Sequence, residues 1–281
     1  MKISFLESGY CVHPEFFLTL SLKDLNKVSK FPNTVLLIDH PSKGKILFDS
    51  GYSEHFFDAT SSFPEMLYKM LAPVTLGEGQ SAVHRLQALG IAPDEITYII
   101  LSHFHADHIS GLLDFPRAKF IFLDEAYKAV DSLSRIGRLR AGFLQSLIPI
   151  DFSARAMAIN MNQAASNIGF LEPFTQKVDI FGDGSIYGVS LPGHASGHMG
   201  IYLETTQGKF LFVADACWYK DEFLGSKKLG FGANFVIQDR PVYDDTLKRI
   251  MQFSDKNSSV QIIPCHCGFT HQELHAHDLS I

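Results

Sequence analysis

The chain has 281 residues, 46% of them hydrophobic and 19% charged, with a formal net charge of −6. A chain this long buries most of its apolar surface without a disulfide or a structural metal, so metal ligands found in it are read as serving chemistry. Scattered Lys and Arg exclude a phosphate-backbone track and hence a nucleic-acid partner, and no apolar run approaches the ~20 residues that span a bilayer.

Taken in chain order, the N-terminal MKISFLESGY has no long apolar stretch and no small-residue cleavage site. The cysteines at 11, 217, 265 and 267 form no extracellular disulfide framework, so a cytoplasmic protein is expected. Short apolar runs at 2–6, 34–38 and 45–48, parted by Pro- and Gly-bearing turns, predict strands. An aromatic-rich stretch over 52–71 follows, then a helix over 81–89 that Gly90 ends. A buried-type strand over 98–101 runs straight into a dense histidine cluster. Beyond it come a strand at 119–122, a helix over 124–133 and a stretch over 135–162 expected to be mostly helical. Strands at 185–191, 199–204, 209–213 and 260–263, with a helix over 244–253, complete the pattern. No linker separates the halves. Residues 1–281 are therefore expected to form one domain of two strand-rich halves covered by helices, with a helical insertion at about 133–175.

The histidine cluster carries the strongest chemical signal. His103-Phe104-His105-Ala106-Asp107-His108 follows an apolar strand, and two His at i and i+2 in an extended turn project to one side. Asp107 and His108 open a new helical turn and can face a second ion. Imidazole and carboxylate are donors that zinc accepts, at ~2.0–2.2 Å. One cluster cannot fill two coordination spheres, and further donors recur at strand ends: Pro192-Gly193-His194, Asp215 after 209–213, and His266 after 260–263. Any one of these alone reads as a turn cap or a buried core histidine; together they complete a ligand set.

HxHxDH, then PGH, then an apolar strand ending in Asp, then a last His, resembles the metallo-β-lactamase superfamily. Residues 46–51, Ile-Leu-Phe-Asp-Ser-Gly, are similar to that family's early strand–Asp–x–Gly element. The resemblance implies an α+β fold, the αββα sandwich of two mixed sheets packed face to face with helices outside. It also implies two divalent metal ions, zinc foremost, with Mn, Fe or Co fitting the same donors. Carried over by position, His103, His105 and His194 would hold one ion, Asp107, His108 and His266 the other, and Asp215 would bridge them.

Within the superfamily the chain is most similar to N-acyl homoserine lactonases. Residues 191–198, Leu-Pro-Gly-His-Ala-Ser-Gly-His, resemble their PGH-x-x-GH element, and 214–223 resemble the segment with their bridging Asp and catalytic Tyr. That Tyr lies three residues after the Asp, where this chain has Trp218; Tyr219 is one further on. The resemblance implies opening of a small-molecule lactone or ester by attack of a metal-activated hydroxide. Asp107 would orient the nucleophile and Tyr219 would donate to the oxyanion. A phosphodiester or thioester substrate on the same site, and a metal-binding regulatory protein with little turnover, are the competing readings. The apolar residues of 52–71 and Phe143, Phe152, Met157 and Met161 offer either an acyl-chain pocket or plain core. Strand alternation around His266 sends the Cys265 and Cys267 thiols away from the metals. His198 is expected either to support the site from behind or to be structural, and His271, His275 and His277 to lie in a solvated tail; Cys11 and His13 receive no role.

Overall fold

The computed structural model describes residues 1–15, 27–161, 168–226 and 229–268. Two mixed sheets form its frame. Strands β1 (Lys2–Pro14) and β2 (Val28–His40) form a long antiparallel ribbon, and β3 (Gly44–Phe48) pairs with the second half of β2. The short β4 (Val74–Thr75) edges β1. Strands β5 (Ile96–Ile100), β6 (Lys119–Leu123) and β7 (Ala156–Ile159) then continue the sheet in parallel from β3. The second sheet comprises β8 (Lys177–Asp179), β9 (Ile186–Ser190), β10 (Met199–Thr205), β11 (Gly208–Ala214) and β12 (Val260–Pro264). It is antiparallel except for the β11–β12 pair. The inner faces meet through aromatic side chains, with Phe5 and Phe212 at 5.7 Å and Phe48 and Phe212 at 6.3 Å between ring centroids.

Several elements run longer than the apolar runs predict. β1 extends past Leu6 because Gly9, at φ 68, takes up a register shift between Glu7 and Tyr10. β2 starts at Val28 and tolerates Pro32 because β3 pairs only with 36–40, leaving Pro32 with β1 alone as a neighbour. The expected 244–253 helix spans Arg240–Lys256: Asp239 accepts a hydrogen bond from the Val242 amide, and Pro241 fits the first turn.

The 135–162 stretch departs from expectation. Two short helices, Arg135–Arg140 and Phe152–Arg155, are followed by β7, which pairs in register with β6 from Phe120↔Ala156 to Leu123↔Ile159. Ala-Met-Ala-Ile has helix-forming composition, but the open edge of β6 offers it backbone partners, and tertiary pairing overrides propensity. β8 had no counterpart in the sequence reading. Among the described residues, no helix is long and apolar enough to cross a membrane.

Strands β3, β5, β9, β11 and β12 all end at the same rim. Pairing aligns β3 with β5 in one sheet and β9, β11 and β12 in the other. The two edges are joined where the Met199 amide donates to the Ser102 carbonyl and Thr34 Oγ1 to the Cys265 carbonyl, both at 2.8 Å. The residues that follow these ends are 49, 101–108, 191–194, 215 and 265–266.

Candidate metal centre

Two groups of donor side chains meet at that rim. One consists of His103, His105, His194 and Asp215; the other of His108, Asp215, Cys265 and His266; within each group the donor atoms lie within 4.8 Å of one another. In the first group the His194 Nε2 and His105 Nδ1 atoms face each other at 2.9 Å, and Asp215 Oδ2 lies 3.1 Å from His194 Nε2. In the second, Asp215 Oδ1 lies 3.4 Å from His108 Nε2 and 3.1 Å from His266 Nε2. Asp107 Oδ2 adds to this side, at 3.4 Å from His108 Nε2 and 3.3 Å from His266 Nε2. All seven positions singled out from the sequence therefore converge, with Asp215 between the two groups.

The backbone places these side chains under local strain. Ala214, immediately before Asp215, has φ 44, and Asp49 has φ 62, conformations rare for side chains with a Cβ. Gly142 packs on the His105 ring so closely that an added Cβ would sit 2.8 Å from it, and its carbonyl accepts from the Ala106 amide. At Gly193, φ 123, a Cβ would meet the Tyr243 backbone at 2.3 Å, which explains glycine before His194.

Further partners orient the imidazoles from behind. His108 Nδ1 donates to Asp49 Oδ2 at 2.8 Å, and the Asp49 carboxylate also accepts from the Ser102 amide and hydroxyl, both at 2.8 Å. His266 Nδ1 donates to the Pro32 carbonyl at 2.9 Å, which turns Nε2 toward the cluster. Asn33 Nδ2 donates to the Asp107 carbonyl at 3.1 Å, and the Asp215 amide donates to His198 Nε2 at 3.2 Å. Ser102 and Asn33 stand in no motif of the sequence, and Asp49 stands in the early strand–Asp–x–Gly element without a ligand role. The signal for Asp49 was its place at the end of β3, parallel to the strand that delivers His103.

Electrostatics differ across the centre. Burial, reinforced by neighbouring imidazoles, holds His103 well below its ordinary value and brings His105 down to about 3. Burial acts on His108 in the same direction, yet Asp107, Asp215 and Asp49 overcome it and raise that group; Asp215 is foremost in raising His266. Against a burial effect that favours protonation, His108 and His266 bring Asp107 down to about 2.

The donors fit a divalent ion. His103 Nε2, His108 Nε2 and Asp215 Oδ1 are buried and have no hydrogen-bond partner. Each such group costs ~1–3 kcal/mol if left unsatisfied. Buried imidazole nitrogens and carboxylate oxygens that converge at 3.1 to 3.4 Å are the donor types a divalent metal ion takes.

Three expectations need correction or refinement. Cys265 does not face away: β12 ends at Pro264, residues 265–266 form a turn, and alternation no longer applies. Its Sγ lies 3.7 Å from both ring nitrogens of His266. Cys267 does point elsewhere, its sulfur accepting from the Lys220 amide at 3.4 Å. Tyr219 packs on Phe31 at 5.6 Å, whose ring stands edge-on to His266 at 6.4 Å; Trp218 instead lies 6.1 Å from His194. Of the apolar pocket candidates, Phe152 is core, stacked on Phe120 at 5.1 Å, while Met157 is 41% exposed. Phe143 lines a cleft of about 660 Å³ whose lining includes none of the donor residues; there Arg138 covers its ring and Arg135 pairs with Glu65. His271, His275 and His277 lie outside the described residues.

Two mixed sheets carrying imidazole and carboxylate donors at a shared rim define a divalent-metal-binding hydrolase fold. The chain belongs to the metallo-β-lactamase superfamily, whose family model matches residues 28–257. Among curated proteins, N-acyl homoserine lactonase AttM of Azorhizobium caulinodans is 27% identical over 217 residues, covering 76% of this chain and 75% of that protein. N-acyl homoserine lactonase AiiA of Bacillus thuringiensis subsp. kurstaki is 27% identical over 232 residues, 79% of this chain and 78% of its own. A solved N-acyl homoserine lactone hydrolase, with the product N-hexanoyl-L-homoserine at its catalytic metal centre, has a TM-score of 0.74 at 21% identity. That likeness, covering 97% of this chain and 95% of the other, is one of fold.

Proposed function

We propose that this protein is a cytoplasmic dinuclear zinc hydrolase that opens lactone or ester bonds, N-acyl homoserine lactones among them. The observation that carries the reading is Asp215, one carboxylate whose two oxygens face two separate groups of donors. In this reading His103, His105 and His194 hold one ion, His108, His266 and Asp107 face the other, and Asp215 serves both. The bound ions supply Lewis-acid polarisation of the carbonyl and a water acidic enough to act near neutral pH. The relatives named as N-acyl homoserine lactonases support the substrate class.

The chain's own groups handle the protons. Asp107, held ionised by His108 and His266, is an acceptor at Oδ2 that can orient a nucleophile and take its proton. Tyr219 keeps its phenolic proton because burial, aided by Glu222, raises its pKa; it is assigned as donor to the developing oxyanion. Trp218, whose buried indole N–H has no hydrogen-bond partner, is the alternative donor.

The test is turnover of N-hexanoyl homoserine lactone by metal-loaded protein, beside phosphodiester and thioester panels. Lactone opening that exceeds both and disappears on chelation is the expected result. Brisk phosphodiesterase activity with lactone turnover no faster than the chelated control overturns the substrate class.

A further inference from the structure

The sulfur of Cys265 stands where a metal ligand would stand. The backbone on which it rides is pinned from two sides: the Cys265 amide donates to the Ala214 carbonyl at 3.3 Å, and the Cys265 carbonyl accepts from Thr34 Oγ1 at 2.8 Å. With its backbone fixed and the turn at 265–266 replacing strand alternation, the side chain projects to the same side as the His266 ring. The sulfur then shares a 4.8 Å cluster with donor atoms of His108, Asp215 and His266. Two of those partners, His108 Nε2 and Asp215 Oδ1, are independently buried without a hydrogen-bond partner. Cys265 is only 6% exposed, so solvent does not compete for the space between them.

We propose that Cys265 is a thiolate ligand of the ion bound by His108, His266 and Asp215, an inference that rests on the metal-centre reading above. On ion binding the S–H bond breaks, its proton leaves to solvent, and the sulfur lone pair binds the metal; no electron is transferred. Two imidazoles, one shared carboxylate and one thiolate make four donors, the number a tetrahedral zinc takes. Asp107 is then not required as a ligand of that ion, and its carboxylate stays available to orient the nucleophile. A soft sulfur donor also biases this position toward zinc or cobalt and away from manganese or magnesium, which favour oxygen donors. The position with three further imidazoles has no sulfur in its group and discriminates less.

X-ray absorption at the zinc edge, on protein holding two ions, reads the donor set directly. The expected spectrum contains about half a sulfur per zinc at ~2.3 Å beside nitrogen and oxygen at ~2.0–2.2 Å. Cobalt-loaded protein is expected to show a sulfur-to-cobalt charge-transfer band in the near ultraviolet. Cys265→Ser should abolish both signals, while Cys267→Ser keeps them. If Cys265→Ser does not fold, signals that persist in Cys11→Ser, Cys217→Ser and Cys267→Ser assign the sulfur by elimination. Two bound ions without a sulfur shell, or a shell that survives Cys265→Ser, overturn this ligand while leaving the metal centre standing. Failure to take up any divalent ion overturns both.

Discussion

The two sides of the candidate centre are built on opposite electrostatic plans. His103, His105 and His194 surround one position with imidazoles, and burial plus mutual repulsion keeps His103 and His105 neutral. His108 and His266 flank the other position amid carboxylates, with Asp107, Asp215 and Asp49 at 2.8 to 3.4 Å from their ring nitrogens. On the first side His103 and His105 are ready neutral donors. The second carries its own compensating charges and, in addition, a thiol. A single carboxylate, Asp215, joins the two plans, so one substitution can damage both while most others should act on one side.

Asp215→Ala is expected to have the largest effect. It removes the oxygen facing His194 and the oxygen facing His108 and His266 together. Elemental analysis should show metal content falling from about two ions per chain, the number this donor set supports, to below one, with turnover falling to the chelated level. Two retained ions would falsify the shared-ligand assignment. Next in size is the proton donor: loss of a group that stabilises a developing oxyanion costs ~100-fold or more in turnover. Tyr219→Phe should show that drop with metal content unchanged. If Trp218→Phe shows it instead, the donor is the indole that stands beside His194 on the other side of the comparison.

Much of this asymmetry was legible in the sequence, and its limits are physical. His103 through His108, His194, Asp215 and His266 were readable because each follows an apolar strand, and strands that share a direction within a sheet deliver such ends to one edge of it. The same logic failed at Cys265, because alternation holds only while the strand lasts and β12 stops one residue earlier. It also left Asp49 without a partner, since nothing local says that the end of β3 lies beside His108, 59 residues away. β7 was missed because Ala-Met-Ala-Ile carries no strand signal of its own and takes its conformation from the edge of β6.

Asp49 gives a test weighted toward the charged side, since it touches His108 directly at 2.8 Å and His103 only through the Ser102 hydroxyl. Asn tolerates the left-handed backbone at φ 62, so Asp49→Asn removes the carboxylate charge behind His108 without straining the turn. Loss of a partner that orients a metal-binding imidazole typically weakens affinity ~10–100-fold. Metal titration should therefore show one site weakened much more than the other. Equal weakening of both would mean that Asp49 supports the whole rim rather than one side.

The smallest expected effect on the centre comes from Glu222, which holds the turn carrying Trp218 and Tyr219. Its Oε1 accepts from the Trp218 amide at 2.8 Å and the Tyr219 amide at 3.0 Å, and Oε2 accepts from the Tyr243 hydroxyl at 3.0 Å. Burial outweighs these hydrogen bonds and pushes the carboxyl up to about 7 from an ordinary 4.5. Between those values the unfolded chain has released the proton while the folded chain still holds it. Stability from this group is therefore complete below pH 4.5 and declines as pH rises toward 7, by up to about 3 kcal/mol. Glu222→Gln keeps an oxygen for the two amides and replaces the ionisable group with a neutral one. Urea unfolding of both proteins at equal metal load should show the variant gaining on wild type between about pH 5 and about pH 8, with little change in lactone turnover. A stability difference that stays constant across that range would mean that Glu222 does not change its protonation there, and that hydrogen bonding rather than burial governs it.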